Sequence, residues 1–382
     1  MEQNFVMKGT AMIPILDLTN QYQKIKDELN REVLDVLNSG RYVLGPQVEK
    51  FESDIADYLG CKRAVGVANG TDALHLALRA LDIGPGDEVI TTSFTFIATT
   101  EAIGIVGATP VFVDINSDTF NIDVSLIEEL ITEKTKAILP VHLYGQPADM
   151  DKIMELARKY KLYVVEDCAQ AIGAEYKGKK VGTFGDFGCF SFFPTKNLGA
   201  CGDGGMVSTS NENLADRIIS LRGHGGRVRY YHDELGLNSR LDELQAAILN
   251  VKLKYIDEWN GNRRNLAARY NELLKEVENI KTPAEIDDVK SVYHQYTVRV
   301  PNRDLVHKNL QIAEIQTMIY YPVPLHRQKV HEKLNVPPEM LYHTELASKE
   351  VLSLPIYPEL SYEQQNKVVE ALVENVKSFV NC

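Results

Sequence analysis

The chain contains no run of about 18 uninterrupted apolar residues, so no membrane-spanning helix is expected. Its first residues, MEQNFVMKGTA, lack the apolar core of a secretory signal. Cysteine is sparse: Cys61, Cys168, Cys189, Cys201 and Cys382 are odd in number and show no C-x-x-C spacing. That argues against a disulfide framework or a structural zinc site, and for free thiols in a reducing, cytoplasmic setting. Positive charge is also in deficit. With 41 Lys+Arg against 53 Asp+Glu, the formal charge of −12 speaks against a general nucleic-acid binder. An anionic small ligand would need its cationic partners gathered locally. No G-x-G-x-x-G follows an expected strand, GACGDGG having a different spacing, which disfavours a nicotinamide dehydrogenase.

What is present is ordinary globular material, 44% hydrophobic and 25% charged. At 382 residues it suggests two domains, or one large domain with a smaller one attached. Residues 1–11 read as a loose tail. Helical spacing runs over Tyr22–Leu37 and Val48–Leu59, separated by SGRYVLGP. From AVGVA onward, short apolar strands alternate with helices through LYVVED, which indicates an α/β domain with a mainly parallel sheet. Ligands of such sheets lie beyond the carboxyl ends of the strands, where NGTD, HLYG and EDCAQ should converge. After a glycine-rich and basic loop, RGHGGRVRYYHDELGLNSR, one long helical stretch is expected from Leu241 into the 270s. The remainder, with strand-like SVYHQYTVRV, proline-punctuated YYPVPLHRQ and a final helix, reads as a smaller α+β domain. The expected division is a large domain over 12–255, whose N-terminal segment is free to pack with the small one, and a small domain over 256–382.

The chemistry concentrates in SFFPTKNLGACGDGG. Lys196 lies between aromatics and a glycine turn that would partly desolvate it, as a lysine that must lose its proton requires. Read alone, an exposed lysine in a turn is the ordinary alternative. Asp167 ends the apolar run LYVVED, where a carboxylate can face a pyridine nitrogen; a loop-capping aspartate is the alternative. Asn69-Gly70-Thr71 sits at a strand-to-helix turn suited to a phosphate, and Ser191 adds a hydroxyl. Phe94 and Phe96 alternate at the end of FTF, one to stack on a ring and both equally able to pack in a core. A lysine, an acid, phosphate donors and a flat surface are what pyridoxal 5′-phosphate (PLP) requires of a protein.

The order NGTDAL, FTF, VHLYGQPADM, VVEDCAQAIGA, SFFPTKNLGACGDGG and LNSRLDELQAAIL resembles the DegT-type sugar aminotransferases of PLP fold type I, from about Ile13 to the C-terminal region. The resemblance implies that Lys196 forms the Schiff base and Asp167 pairs with the pyridine nitrogen. It places Gln170 near the phenolic oxygen, Gly70, Thr71 and Ser191 on the phosphate, and Phe96 on the ring. Asn238 would reach the cofactor phosphate of the neighbouring copy in a homodimer with shared active sites. Arg240 and the loop bearing Arg229 would meet an anionic nucleotide sugar, and Tyr321, His326 and His294 would face substrate. The family often has His-Tyr-Pro where this chain has Tyr320-Tyr321-Pro322, which leaves a polar contact from position 320 open. His326 and His331 are poorly spaced to share a metal, and no metal is assigned.

The implied activity is transfer of an amino group from an amino acid, most plausibly L-glutamate, to a keto sugar nucleotide, for surface polysaccharide or natural-product glycan synthesis. The segments SVYHQYTVRV and YYPVPLHRQ incline this towards a 3-keto sugar on dTDP or UDP. Two alternatives stand beside it. A PLP-dependent sugar dehydratase of the same fold is disfavoured because such enzymes carry histidine where this chain has Lys196. A regulatory protein that only binds PLP or a sugar nucleotide is disfavoured by the complete set Lys196, Asp167 and Gln170.

Overall fold

The computed structural model describes residues 12–284 and 286–377; the expected tail over 1–11 lies outside them, as does Cys382. The four described cysteines are free thiols. Helix α1 (Leu18–Ser39) buries Ile25, Leu29 and Val36 as one stripe and opens on Asp17, whose carboxylate accepts the Asn20 N–H. Helix α2 (Pro46–Leu59) begins with proline at its first position, where no N–H is missed. Its N-terminus is capped from afar by the buried Glu243 carboxylate, which accepts the N–H groups of Gly45 (2.7 Å), Gln47 (3.0 Å) and Val48 (2.9 Å).

Strands and helices then alternate as β1 (Arg63–Val67), α3 (Gly70–Ala80), β2 (Glu88–Thr92), α4 (Ala98–Ile105), β3 (Thr109–Val113), β4 (Thr135–Ile138), α5 (Met150–Tyr160) and β5 (Tyr163–Asp167). A small hairpin, β6 (Glu175–Tyr176) and β7 (Lys179–Lys180), precedes β8 (Phe187–Ser191) and β9 (Gly205–Thr209). Seven strands form one sheet in the order β1-β9-β8-β5-β4-β2-β3. β8, β5, β4, β2 and β3 run parallel, and β9 is antiparallel to both of its neighbours.

Alternate strand residues serve two cores. Val65, Phe187 and Val207 pack with Leu74 and Leu78 of α3, whereas Ala64, Phe190 and Met206 pack with Phe51 and Ile55 of α2. Burial on both faces is why the strands read as nearly unbroken apolar runs. The carboxyl ends of β1, β2, β4, β5 and β8 therefore share one edge of the sheet. The antiparallel β9 begins at that edge, with Gly205 where a Cβ would lie 2.2 Å from the Asn69 carbonyl oxygen. Only glycine allows so close an approach.

Beyond α6 (Glu212–Arg222), the long helix expected from Leu241 is two helices, α7 (Glu243–Leu253) and α8 (Ile256–Leu274). Neither proline nor glycine marks the junction. Packing sets it: Tyr255 stacks on Trp259, and Lys254 and Tyr255 both bond Glu28 of α1. After β10 (Val289–Lys290), which pairs with β6, come β11 (Tyr296–Arg299), α9 (Arg303–Ile312), α10 (Tyr342–Glu350), β12 (Val351–Leu354) and α11 (Tyr362–Lys377). β11 and β12 pair antiparallel over a separate core that includes Ile13, Tyr270, Val306 and Leu372. Helix α8 bridges the cores: Ile256 packs with α2 and α7, whereas Leu266, Ala267, Tyr270 and Leu274 serve this second core.

The strand expected over SVYHQYTVRV is realised only in its second half. In the first half, Val292 and His294 donate to the carbonyls of Gly145 (3.0 Å) and Tyr144 (2.8 Å), so this segment lies on the turn after β4 instead. Among the described residues no helix is long and apolar enough to cross a membrane.

Candidate active site

A cavity of about 490 Å³ opens at the carboxyl edge of the sheet. Eleven of the residues singled out from sequence line it: Lys196, Asp167, Gln170, Asn69, Gly70, Thr71, Ser191, Phe96, His294, Tyr320 and Tyr321. Four others do not. Asn238 and Arg229 are exposed, the latter with its guanidinium 5.0 Å from the Tyr230 ring, and Arg240 is partly buried away from this wall. His326 corrects an expectation of substrate contact within this chain. Both its ring nitrogens are taken by internal partners, Nδ1 by Ser93 Oγ (2.7 Å) and Nε2 by Glu345 (2.8 Å), which fixes the segment after Pro324 behind β2.

Asp167 ends β5 and is buried. Its Oδ2 accepts the Thr99 hydroxyl (2.8 Å) and its Oδ1 the Ala169 N–H (3.1 Å). Burial pushes its pKa up, while these two donors and the charge of Lys196 pull the other way. Thr99, on the first turn of α4, carried no signal in the sequence beyond following FTF by one turn.

Lys196 stands on a tight loop. Its N–H donates to the Phe193 carbonyl (2.8 Å), and Ala200 N–H closes back on Phe192 (2.8 Å). Gly199 passes so close to Pro194 that a Cβ would meet its carbonyl oxygen at 2.3 Å, and buried Lys252 donates to the Gly199 carbonyl (2.6 Å). Desolvation lowers the Lys196 pKa to about 8, against the opposing pull of Asp167. Roughly a tenth of it is therefore free amine at pH 7, far more than for an ordinary lysine.

At the first turn of α3, Asn69 Oδ1 accepts the Asp72 N–H (2.8 Å) and its carbonyl the Ala73 N–H (3.1 Å). The N–H groups of Gly70 and Thr71 are left for a ligand in the cavity these residues line. A Cβ on Gly70 would meet Ser191 Cβ at 2.7 Å, so the hydroxyl-bearing strand end and the helix N-terminus form one corner with donors suited to an anion.

The opposite wall is a fixed hydrogen-bond chain. Gln170 Oε1 accepts the Tyr144 N–H (2.7 Å), which turns its Nε2 towards the Tyr321 hydroxyl (3.1 Å). Burial pushes the Tyr321 pKa up, so it stays a neutral phenol. The Phe96 and Tyr321 rings are 6.3 Å apart. Asn197 donates from Nδ2 to the Val292 carbonyl (3.0 Å) and to Asn260 Oδ1 (2.7 Å), leaving Oδ1 to face His294 Nδ1 (3.1 Å). Since a carbonyl oxygen only accepts, His294 must carry its proton on Nδ1, and Nε2 keeps a lone pair. Burial and then the nearby charges of Lys196 and Arg263 hold this imidazole neutral.

A carboxylate, a lowered-pKa lysine and a donor-rich corner around one cavity fit a cofactor with a ring nitrogen, an aldehyde and a phosphate. A family model for the DegT/DnrJ/EryC1/StrS aminotransferase family matches residues 23–373. The chain belongs to the DegT/DnrJ/EryC1/StrS aminotransferase family. Among curated relatives of this aminotransferase, a "pleiotropic regulatory protein" of Geobacillus stearothermophilus is 52% identical over 96% of this chain and 99% of the relative. The dTDP-3-amino-3,6-dideoxy-alpha-D-galactopyranose transaminase of Aneurinibacillus thermoaerophilus is 49% identical over 94% of this chain and 99% of the relative. Among solved structures, DesV of S. venezuelae superposes with TM-score 0.94 at 45% identity, covering 96% of this chain and 99% of that one. NtdA of Bacillus subtilis, with bound cofactor PMP, gives 0.89 at 37%, covering 97% and 86%.

The lowered pKa of Lys196 has a measurable consequence. In the apoprotein, its acylation by an amine-specific reagent, located by peptide mass spectrometry, should rise about tenfold per pH unit below 8 and level off above it. An ordinary lysine would keep gaining reactivity to beyond pH 10.

Proposed function

We propose that this aminotransferase carries PLP on Lys196 and moves an amino group from L-glutamate to a keto sugar nucleotide. The observation that carries the reading is the sharing of one cavity by Lys196, Asp167 and the donor-rich corner at α3. When bound, PLP supplies an electron sink that stabilises the negative charge left at carbon when a proton is removed. Gly70 and Thr71 N–H groups and the Ser191 hydroxyl hold its phosphate, and Phe96 covers its ring. The Asp167 carboxylate, oriented by Thr99 and Ala169, accepts the ring N–H and keeps that nitrogen protonated. Lys196, with its pKa near 8, takes and returns the proton at the amino-bearing carbon as general base and then acid. The neutral His294 and Tyr321 offer a lone pair and a phenol to substrate without adding charge.

The finer substrate reading is a 3-keto sugar on dTDP or UDP. It is supported by the 3-amino dTDP-sugar named for the Aneurinibacillus relative. The regulatory name of the Geobacillus relative favours a second reading, a PLP- or sugar-nucleotide-binding regulator. The two part on a simple measurement. Excess L-glutamate added to the PLP-loaded protein should bleach the aldehyde-form absorbance with release of 2-oxoglutarate, and Lys196→Ala should lose turnover by roughly 10⁴-fold or more. An unchanged spectrum with bound cofactor would favour the regulator. A panel of keto sugar nucleotides, with products identified by NMR, then assigns the acceptor.

The same proposal makes the working unit a homodimer. Asn238, Arg229 and Arg240 lie outside this chain's own cavity, on a stretch that exposes Val228, Tyr230, Tyr231 and Leu235. A second copy would cover that surface and receive Asn238 at its phosphate corner. Mixing Lys196→Ala with an inactive Asn238 variant should therefore restore about a quarter of wild-type activity, because half of the dimers are mixed and each holds one intact site. No recovery after subunit exchange would place Asn238 outside the partner's site.

A further inference from the structure

Beside the Lys196 cavity lies a small annex of about 60 Å³, which shares Thr195, His294, Gln295 and Tyr320 with it. Its other wall includes Arg263 of α8, only 3% exposed. Arg263 Nη1 donates to the carbonyls of Ile356 (2.8 Å), Tyr293 (3.2 Å) and His294 (3.4 Å), while its Nε has no partner among the described residues. Burial holds its pKa down at about 10, so it remains a cation at neutral pH.

Its nearest countercharge does not use the Nε donor. Glu359 acts on Arg263 electrostatically, yet neither of its oxygens accepts a hydrogen bond among the described residues, and Lys24 Nζ lies 3.6 Å from its Oε1. Lys24 is more than half exposed, so the one charge acting on buried Arg263 is a carboxylate that makes no hydrogen bond to it. A buried guanidinium with unspent donors is costly until an anion or water completes it. Size narrows the occupant. At about 60 Å³ the annex is small beside the main cavity of about 490 Å³, a size that suits a carboxylate-sized group.

We propose that Arg263 is the receiving cation for a carboxylate of the amino-acid donor, which reaches the annex past His294 and Tyr320 while its amino group sits at Lys196. The sugar nucleotide does not use this subsite. Binding energy placed here would favour the donor half-reaction alone. This rests on the amino-donor reading above.

The test takes the two half-reactions separately on the cofactor-loaded enzyme, one driven by L-glutamate and the other by the keto sugar nucleotide. Arg263→Lys and Arg263→Gln should lower the glutamate second-order rate constant by about 10–100-fold, as loss of a charged hydrogen bond does, and leave the sugar half-reaction within about twofold. If both halves fall together, Arg263 serves only the backbone carbonyls it bonds, and the subsite is overturned. Should neither variant hold cofactor, Glu359→Gln decides. It removes the competing carboxylate and should raise glutamate reactivity several-fold, whereas an unchanged or lower rate overturns the proposal. If the wild-type enzyme itself fails to react with L-glutamate, the donor reading falls and takes the subsite with it.

Discussion

A carboxylate buried at the edge of a parallel sheet is unstable unless something answers its charge, and Asp167 is such a group. Thr99 and the Ala169 N–H supply two hydrogen bonds. Burial still pushes its pKa up, and the nearby charge of Lys196 helps hold it down. The lysine is itself desolvated, to a pKa of about 8. Each group is thus kept in a poised state by the other and by the low-dielectric cavity between them. A cofactor that brings a protonated ring nitrogen to Asp167 and an aldehyde to Lys196 satisfies both at once.

The fold makes this pairing possible by bringing strand ends from distant parts of the chain to one edge. Asp167 comes from β5 and Lys196 from the loop after β8, its neighbour in the sheet. The donor-rich corner comes from the start of α3, which follows β1, and Gly205 at the start of β9 lets the Asn69 carbonyl approach closely. Neighbouring groups are pinned by partners that have only one hydrogen-bonding role. The Val292 carbonyl orients Asn197, which orients His294, and the Tyr144 N–H orients Gln170. The glycines in SFFPTKNLGACGDGG serve close packing, while Ser191 and Lys196 line the cavity.

The sheet and the cofactor end of the site were legible in the sequence because their signals are local. A strand ending in aspartate, an NGT turn before a helix and a lysine in a glycine-rich loop are each ambiguous alone, and it is their order along the chain that points to one cavity. The remainder depends on tertiary closure. Thr99 matters only because α4 places it beside Asp167, and Arg263 only because the first half of SVYHQYTVRV folds onto the Tyr144–Gly145 turn instead of extending β11. The α7–α8 junction has no breaker residue and is set by Glu28 of α1. His326 is expected to face substrate only through the family resemblance of its segment, and in this chain Ser93 and Glu345 occupy both its nitrogens.

The central claim is that Lys196, and no other lysine, carries the cofactor. Borohydride reduction of the PLP-loaded protein, followed by proteolysis and mass spectrometry, tests it directly. The account predicts the reduced pyridoxyl adduct on the peptide containing Lys196 and its disappearance after prior incubation with excess L-glutamate. An adduct on Lys252 or a surface lysine, with Lys196 unmodified, would contradict it.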